Sequence, residues 1–379
     1  MQAEWYRRYY EDKISEWIKP GKALVFTGPR RVGKTELIKK WLAGFEGKIY
    51  AGTGDNLELR NLLSSHNLNR IRLMLEGYDL IFIDEAQRIP DIGYGLKLIV
   101  DHMPHIKLIA TGSSSFDLTQ KIGEPLTGRF INRILYPLSV LELHNQFGGM
   151  TVNESLDELM VFGSYPEVLT NRAKDDKIEY LRNIRDSYLL KDVLELENIR
   201  NPAKLSDLLK LLAFQIGKEV SHNELGNSLG IAKQSVDRYL DILEKAFIIK
   251  KTGGFSRNLR NEVTQNSRYY FWDNGIRNAL INNYNPIEMR DDVGMLWENF
   301  LFIERLKKQE YHRIYTSNYF WRTYDRKEID LVEERDGHLH GFEFKWKEKP
   351  VKAPAKWLET YDNASFEVIH KNNFLSFLI

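Results

Sequence analysis

The sequence contains no cysteine, and that absence removes disulfides, thiolate zinc sites and a cysteine nucleophile from consideration. It contains no run of roughly 18 consecutive apolar residues, the length a membrane-spanning helix needs. The charged N-terminal stretch Met1-Gln2-Ala3-Glu4-Trp5-Tyr6-Arg7-Arg8 is not followed by an apolar segment, so it does not read as a signal peptide. Nor is there an excess of either charge: 54 basic and 53 acidic residues leave a formal net charge of +1. Global electrostatics therefore argue neither for nor against nucleic acid, and any basic footprint must be local. The nine histidines include no HExxH pair; His338 and His340 stand two apart near Glu343 and form only a weak metal pattern. These absences lead us to expect a cytoplasmic protein with no membrane partner, and its 379 residues suggest two or three domains.

What is present begins at residue 23. Ala23 to Thr27 is a short apolar segment between Gly21 and Gly28, which predicts a buried strand. It runs into Gly28-Pro29-Arg30-Arg31-Val32-Gly33-Lys34-Thr35, which satisfies GxxxxGK[ST] at every fixed position. From Glu36 to Leu42 the apolar residues Leu37, Ile38, Trp41 and Leu42 recur at helical spacing. Strand, glycine loop and helix is the setting in which this motif cradles phosphates. Gly28 and Gly33 permit backbone turns that side chains would obstruct. The helix N-terminus adds partial positive charge. Lys34 is expected to reach the β- and γ-phosphates of ATP, and the Thr35 hydroxyl to bind Mg²⁺.

Tyr78 to Glu85 is a second apolar segment, ending in adjacent carboxylates. Asp84 is expected to hold the Mg²⁺ shell, and Glu85 to orient and deprotonate the attacking water. A third strand, Lys107 to Ala110, enters Thr111-Gly112-Ser113-Ser114-Ser115, where Thr111 and Ser113 are both candidates to contact the γ-phosphate or the water. Alternating strands and helices imply a doubly wound parallel sheet with its ligand at the strands' C-terminal edge.

Further on, Leu156 to Leu169 and Tyr180 to Ile199 read as helices, the latter with an apolar stripe of Leu181, Ile184, Tyr188, Leu189 and Val193. Ser221-His222-Asn223-Glu224 has the form of a capping box. Two short helices around a Leu229-Gly230-Ile231 turn, followed by the Phe247 to Lys251 strand and Thr252-Gly253-Gly254, predict a helix-turn-helix with a wing. Lys233, Gln234, Ser235 and Arg238 would face a groove. Lys245, Lys250, Lys251, Arg257, Arg260 and Arg268 form a basic stripe against the single acid Glu262. Protein recognition is the competing use of such a module.

Near the C-terminus, Gly294 to Leu306 predicts a helix carrying Glu298. Glu328 to Val332 and Gly341 to Trp346 read as strands joined at an Asp336-Gly337 turn. Asp330, Glu343 and Lys345 then make a D…ExK pattern. Alternation puts Glu343 and Lys345 on one face, where Asp330 and Glu343 would hold Mg²⁺ and Lys345 would activate water for phosphodiester attack. A solvated charged hairpin face is the plain alternative.

Gly28 to Thr35, Asp84-Glu85-Ala86-Gln87-Arg88, Thr111 to Ser115, Leu126-Thr127-Gly128-Arg129, Tyr136-Pro137-Leu138-Ser139 and Gly163-Ser164-Tyr165-Pro166-Glu167 occur in that order. In this the chain resembles prokaryotic AAA-type ATPases with a conserved C-terminal region of unknown function. The resemblance implies an α/β P-loop NTPase (AAA-like) domain at 1–145 and a helical lid at 146–201. A winged-helix module at 202–288 and a restriction-endonuclease-like domain at 289–379 would complete the chain. The motifs themselves predict an ATP- and Mg²⁺-dependent ATPase, and the helix-turn-helix with its basic stripe leaves DNA or a protein as partner. Arg129, after the Gly123 to Gly128 loop, would be an arginine finger in cis or, in a homo-oligomer, in trans, or else an ordinary ion-pair arginine. Arg30, Arg31 and Arg88 are weaker candidates for that role.

Overall fold

The computed structural model describes residues 5–113, 125–187, 201–256, 267–323 and 327–379. The chain divides into two compact units. One comprises Arg7–Pro137 with Lys245–Phe247; the other comprises the first residues, Leu138–Glu244 and Ile248–Ile379.

The first unit is built on five parallel strands, β1 (Ala23–Thr27), β2 (Ile49–Thr53), β3 (Leu80–Asp84), β4 (Lys107–Thr111) and β5 (Phe130–Ile134), in the order β2-β3-β4-β1-β5. Parallel strands covered on both faces must be apolar throughout rather than alternating, and all five residues of β1 are buried. On one face Ala23, Val25, Ile81, Ile83, Leu108 and Ala110 share a core with Leu59, Leu63, Ile71, Leu96 and Ile99 of the helices. On the other, Phe26 meets the ring of Tyr10 at 6.2 Å between centroids.

The order has a consequence for chemistry. β4 lies between β1 and β3, in register Phe26↔Thr111 and Ile83↔Ala110. Thr111 at the end of β4 is thereby wedged between the loop that follows β1 and the carboxylates that end β3. This is the edge where open parallel sheets bind ligands.

The second unit begins with helix Val140–Glu154, whose N-terminus carries a reciprocal Ser139–Glu142 capping box. The helix expected over Leu156 to Leu169 is two, Leu156–Phe162 and Pro166–Thr170. Gly163 separates them at φ 75°, where a Cβ would lie 2.0 Å from Asp273 Oδ1. Asp273 instead accepts the Ser164 N–H at 2.7 Å, which gives the Gly163-Ser164 motif a packing reason. Helix Lys174–Ile184 follows; Tyr188, Leu189, Val193 and Ile199 lie outside the described residues.

Helix Pro202–Phe214 is followed by β6 (Glu219–Val220), helices His222–Leu229 and Lys233–Lys245, and then strands β7 (Ile249–Gly254) and β8 (Ser267–Phe271). After helix Val293–His312 come β9 (Ser317–Arg322), β10 (Glu328–Arg335), β11 (His338–Phe344) and β12 (Ala364–Ile369). Gly253 and Gly254 of β7 pair in parallel with Tyr319 and Phe320 of β9, which fuses all seven strands into one sheet ordered β12-β11-β10-β9-β7-β8-β6. The boundaries expected at 201–202 and 288–289 thus fall inside one compact unit, and the second divides a continuous sheet. No helix among the described residues is long and apolar enough to cross a membrane.

Candidate functional site

Between β1 and helix Lys34–Leu42 the loop takes positive φ at Gly28 (140°), Arg31 (62°) and Gly33 (92°). Changes of backbone hand over so few residues are what gather amide N–H groups into an anion-binding concavity. Gly28 has a second reason to be glycine, because a Cβ there would meet Leu135 O at 2.0 Å. Lys34 is buried, and its ammonium donates to Gly28 O at 2.9 Å and Pro29 O at 2.7 Å. Burial depresses its pKa to about 8 against the opposing pull of Glu85 and Asp84.

The Thr35 hydroxyl donates to both carboxylate oxygens of Asp84 at 2.9 Å. The Thr111 hydroxyl also donates to Asp84 Oδ1 and accepts the Glu85 N–H at 3.2 Å. Glu85 sits in the left-handed region at φ 49°, an unusual conformation for a non-glycine residue and one that clusters at functional sites. Its Oε2 accepts from Gln87 Nε2 and from the Ser113 hydroxyl, the latter at 3.3 Å. Gln87 also donates to Ser113 Oγ at 2.9 Å. The two candidates Thr111 and Ser113 therefore divide the work: the first braces Asp84, the second Glu85.

This donor set fits a Mg²⁺-nucleotide. A hydroxyl and a carboxylate stand together at the loop, a buried ammonium lies against it, and both glycines are where a side chain would intrude or strain. Pro29 and Val32 are buried in the loop, Arg31 is exposed, and Arg30 donates to Ser113 Oγ at 3.4 Å.

Arg129 is not brought to this site. Its carbonyl accepts the Ala23 N–H at the start of β1, so it lies at the opposite end of the sheet from the loop after Thr27. Its guanidinium pairs with Asp101 at 2.9 Å. That placement removes a cis arginine-finger role. Arg88 pairs with Asp55 on the exposed surface. The arginine that does reach the loop is one the sequence reading missed: buried Arg8 donates to Val32 O and to Tyr136 O. No spacing rule connects a guanidinium with a loop 24 residues downstream.

The second unit holds a separate cluster. Asp330 and Glu343 are buried on paired strands, and burial raises both acids above the ordinary carboxylate range, Glu343 to about 7. Glu298 joins them from helix Val293–His312, accepts from Tyr270 Oη at 2.8 Å, and is raised to about 8 by burial and by the charge of Asp330. Asp330 Oδ2 accepts the Phe344 N–H at 2.8 Å, and Lys345 pairs with Glu343 Oε1. Arg268, expected on an exposed basic stripe, is buried among these acids: 2.9 Å from Glu328, 3.4 Å from Glu298 and 3.7 Å from Asp330. Among the described residues no group of three or more His, Asp or Glu side chains is placed to hold a metal ion. His340 faces away from Glu343, since three residues along a strand reverse the side, and meets Ser365.

Helix Lys233–Lys245 buries Val236, Tyr239, Leu240, Ile242 and Leu243. It exposes Lys233, Gln234 and Arg238 beside Asp237 and Asp241, while Ser235 is half-buried. Lys250 is paired with Glu244 at 2.9 Å. Arg257, Arg260 and Glu262 lie outside the described residues, as do Ser114 and Ser115.

Residues 20–144 match a family model described as an AAA domain, and the first unit has the P-loop NTPase fold. Residues 153–286 and 293–372 match two domains of unknown function, DUF8612 and DUF4143. The chain is 29% identical over 351 residues to an uncharacterized protein of Mycobacterium tuberculosis, covering 89% of this chain and 74% of that one. It is 24% identical over 383 residues to an uncharacterized protein of Methanocaldococcus jannaschii, covering 93% and 83%. Among solved structures it is similar to a Signal Transduction ATPase with Numerous Domains protein with a tetratricopeptide repeat sensor from Pyrococcus horikoshii. The identity there is 14%, the TM-score 0.32, and the match covers 81% of this chain but 46% of that one, less than half its length.

Proposed function

We propose that the chain binds ATP with Mg²⁺ and hydrolyses it at the loop of the first unit. The observation that carries this reading is the convergence of the Thr35 and Thr111 hydroxyls on Asp84, with Glu85 as the next residue. Thr35 and Asp84 would hold the ion, which when bound neutralises charge on the β- and γ-phosphate oxygens. Lys34 supplies a second positive charge against the phosphates. Glu85 takes the proton of the attacking water, and Gln87 and Ser113 hold its carboxylate in one orientation while it does so.

For the second unit, the order of elements from Pro202 to Phe271 supports a winged-helix reading and a nucleic-acid partner. Lys233, Gln234, Arg238 and Lys251 are exposed on it, as are Lys347, Lys349, Lys352 and Lys356 near the C-terminus. A second reading is a regulatory switch that acts on a protein partner and keeps a non-cleaving, nuclease-like tail. It is favoured by Asp237 and Asp241, which cancel the charge of the exposed helix face, and by the burial of Arg268.

The test is Mg²⁺-dependent ATP hydrolysis by the wild type and Glu85→Gln, with and without duplex and single-stranded DNA. Turnover lost in the variant supports the site, and stimulation by DNA supports the first partner. Turnover unaffected by DNA supports the second. A wild type without turnover overturns the ATPase reading.

A further inference from the structure

The acidic cluster of the second unit brings its own cation. Arg268 enters from β8 with its side chain only 5% exposed. Its Nη2 lies 2.9 Å from Glu328 Oε2, and its Nη1 lies 3.4 Å from Glu298 Oε1 and 3.7 Å from Asp330 Oδ1. The guanidinium carbon stands 4.5 Å from the centroid of the Phe320 ring, a cation–π distance.

The oxygens that D…ExK chemistry needs are engaged elsewhere. Asp330 Oδ2 is held by Phe344 N–H, Asp330 Oδ1 and Glu298 Oε1 face Arg268, and Glu343 Oε1 is held by Lys345. Glu343 Oε2 is the buried oxygen of this set without a hydrogen-bond partner. A Mg²⁺ ion takes near-octahedral oxygen coordination at about 2.1 Å, and of the four oxygens of Asp330 and Glu343 only Glu343 Oε2 is clear of a donor and of Arg268. An ion drawn there would also stand against a fixed positive charge in a poorly screened interior.

We propose that Arg268 is the resident counter-ion of this site. The second unit then carries a nuclease-like arrangement that binds no divalent cation at Asp330 and Glu343 and cleaves no phosphodiester there. Three of its acids, Glu298, Glu328 and Asp330, face the arginine in place of a metal, while Glu343 pairs with Lys345. The inference concerns the second unit alone and stands or falls independently of ATP hydrolysis.

The experiment is Mn²⁺ binding followed by electron paramagnetic resonance on the full chain without nucleotide, in an Asp84→Asn background that silences the loop site. The background protein is expected to bind no Mn²⁺ at this cluster, and Arg268→Lys to behave in the same way. Arg268→Met is expected to gain one Mn²⁺ per chain and to lose it again when Asp330→Asn is added. Should the methionine variant fail to fold, Arg268→Gln, which keeps a hydrogen-bond donor without the charge, makes the same comparison. One Mn²⁺ bound by the background protein and lost with Asp330→Asn overturns the proposal. So does a folded neutral variant that gains no ion.

Discussion

The hydroxyl of Thr35 donates to both carboxylate oxygens of Asp84 at 2.9 Å, across 49 residues of sequence. That contact joins the phosphate loop to the end of β3, and it exists because β4 separates β1 from β3 by a single strand. The space between them is filled by Thr111, whose hydroxyl donates to the same carboxylate.

Lys34→Ala is expected to abolish measurable ATP binding, because the buried ammonium is the loop's principal positive charge. Glu85→Gln is expected to keep binding and lose turnover by about 10²- to 10⁴-fold, the usual worth of a general base. Isothermal titration with ATP and a phosphate-release assay separate the two; a Glu85→Gln protein with full turnover would remove the base assignment.

Gln87 is expected to act through Glu85. Gln87→Ala should lower kcat roughly 10- to 100-fold through loss of orientation while leaving the KM for ATP within about twofold, since Gln87 contacts neither the loop nor Lys34 in the hydrogen bonds described. A change confined to KM would assign Gln87 to binding instead.

Gly28→Ala should destabilise the first unit irrespective of nucleotide. Its Cβ would overlap Leu135 O at 2.0 Å, at a φ of 140°, and strain with overpacking costs roughly 2–5 kcal/mol. Thermal unfolding without ATP is the measurement, and an unchanged melting temperature would refute the packing role.

Arg129→Ala is expected to leave turnover within about twofold, whereas an arginine finger is worth about 10³ or more. A loss of that size would mean that a neighbouring copy delivers Arg129 in trans, because its own fold keeps it at the far end of the sheet.

The pH dependence of stability should carry the mark of Glu298. Its pKa is raised from 4.5 to about 8 by burial first and by Asp330 second. The folded state therefore holds a proton that the unfolded chain releases, and the associated stability is present below pH 4.5 and lost as pH rises towards about 8. Glu298→Gln should melt progressively higher relative to wild type between pH 5 and pH 9. A difference independent of pH would show that Glu298 is already ionised in the folded chain.

The phosphate loop, its flanking strand and helix, and the adjacent carboxylates Asp84-Glu85 are legible in the order of residues alone. Each is a local pattern: apolar continuity for a parallel strand, glycine where the backbone must turn, a hydroxyl after a lysine at a helix start. That order also brought Asp330, Glu343 and Lys345 to attention, because strand alternation is local too, and it placed Glu298 on the preceding helix. Which polar residue serves which carboxylate is set by the fold, since that depends on β4 being inserted between β1 and β3. The fold alone took Arg129 to the wrong end of the sheet and brought Arg8 to the loop. By sequence Arg268 is one more residue of a basic stripe, whereas β8 carries it among the carboxylates. Long-range pairings of this kind are fixed by strand order and burial, for which no spacing in the chain is a substitute.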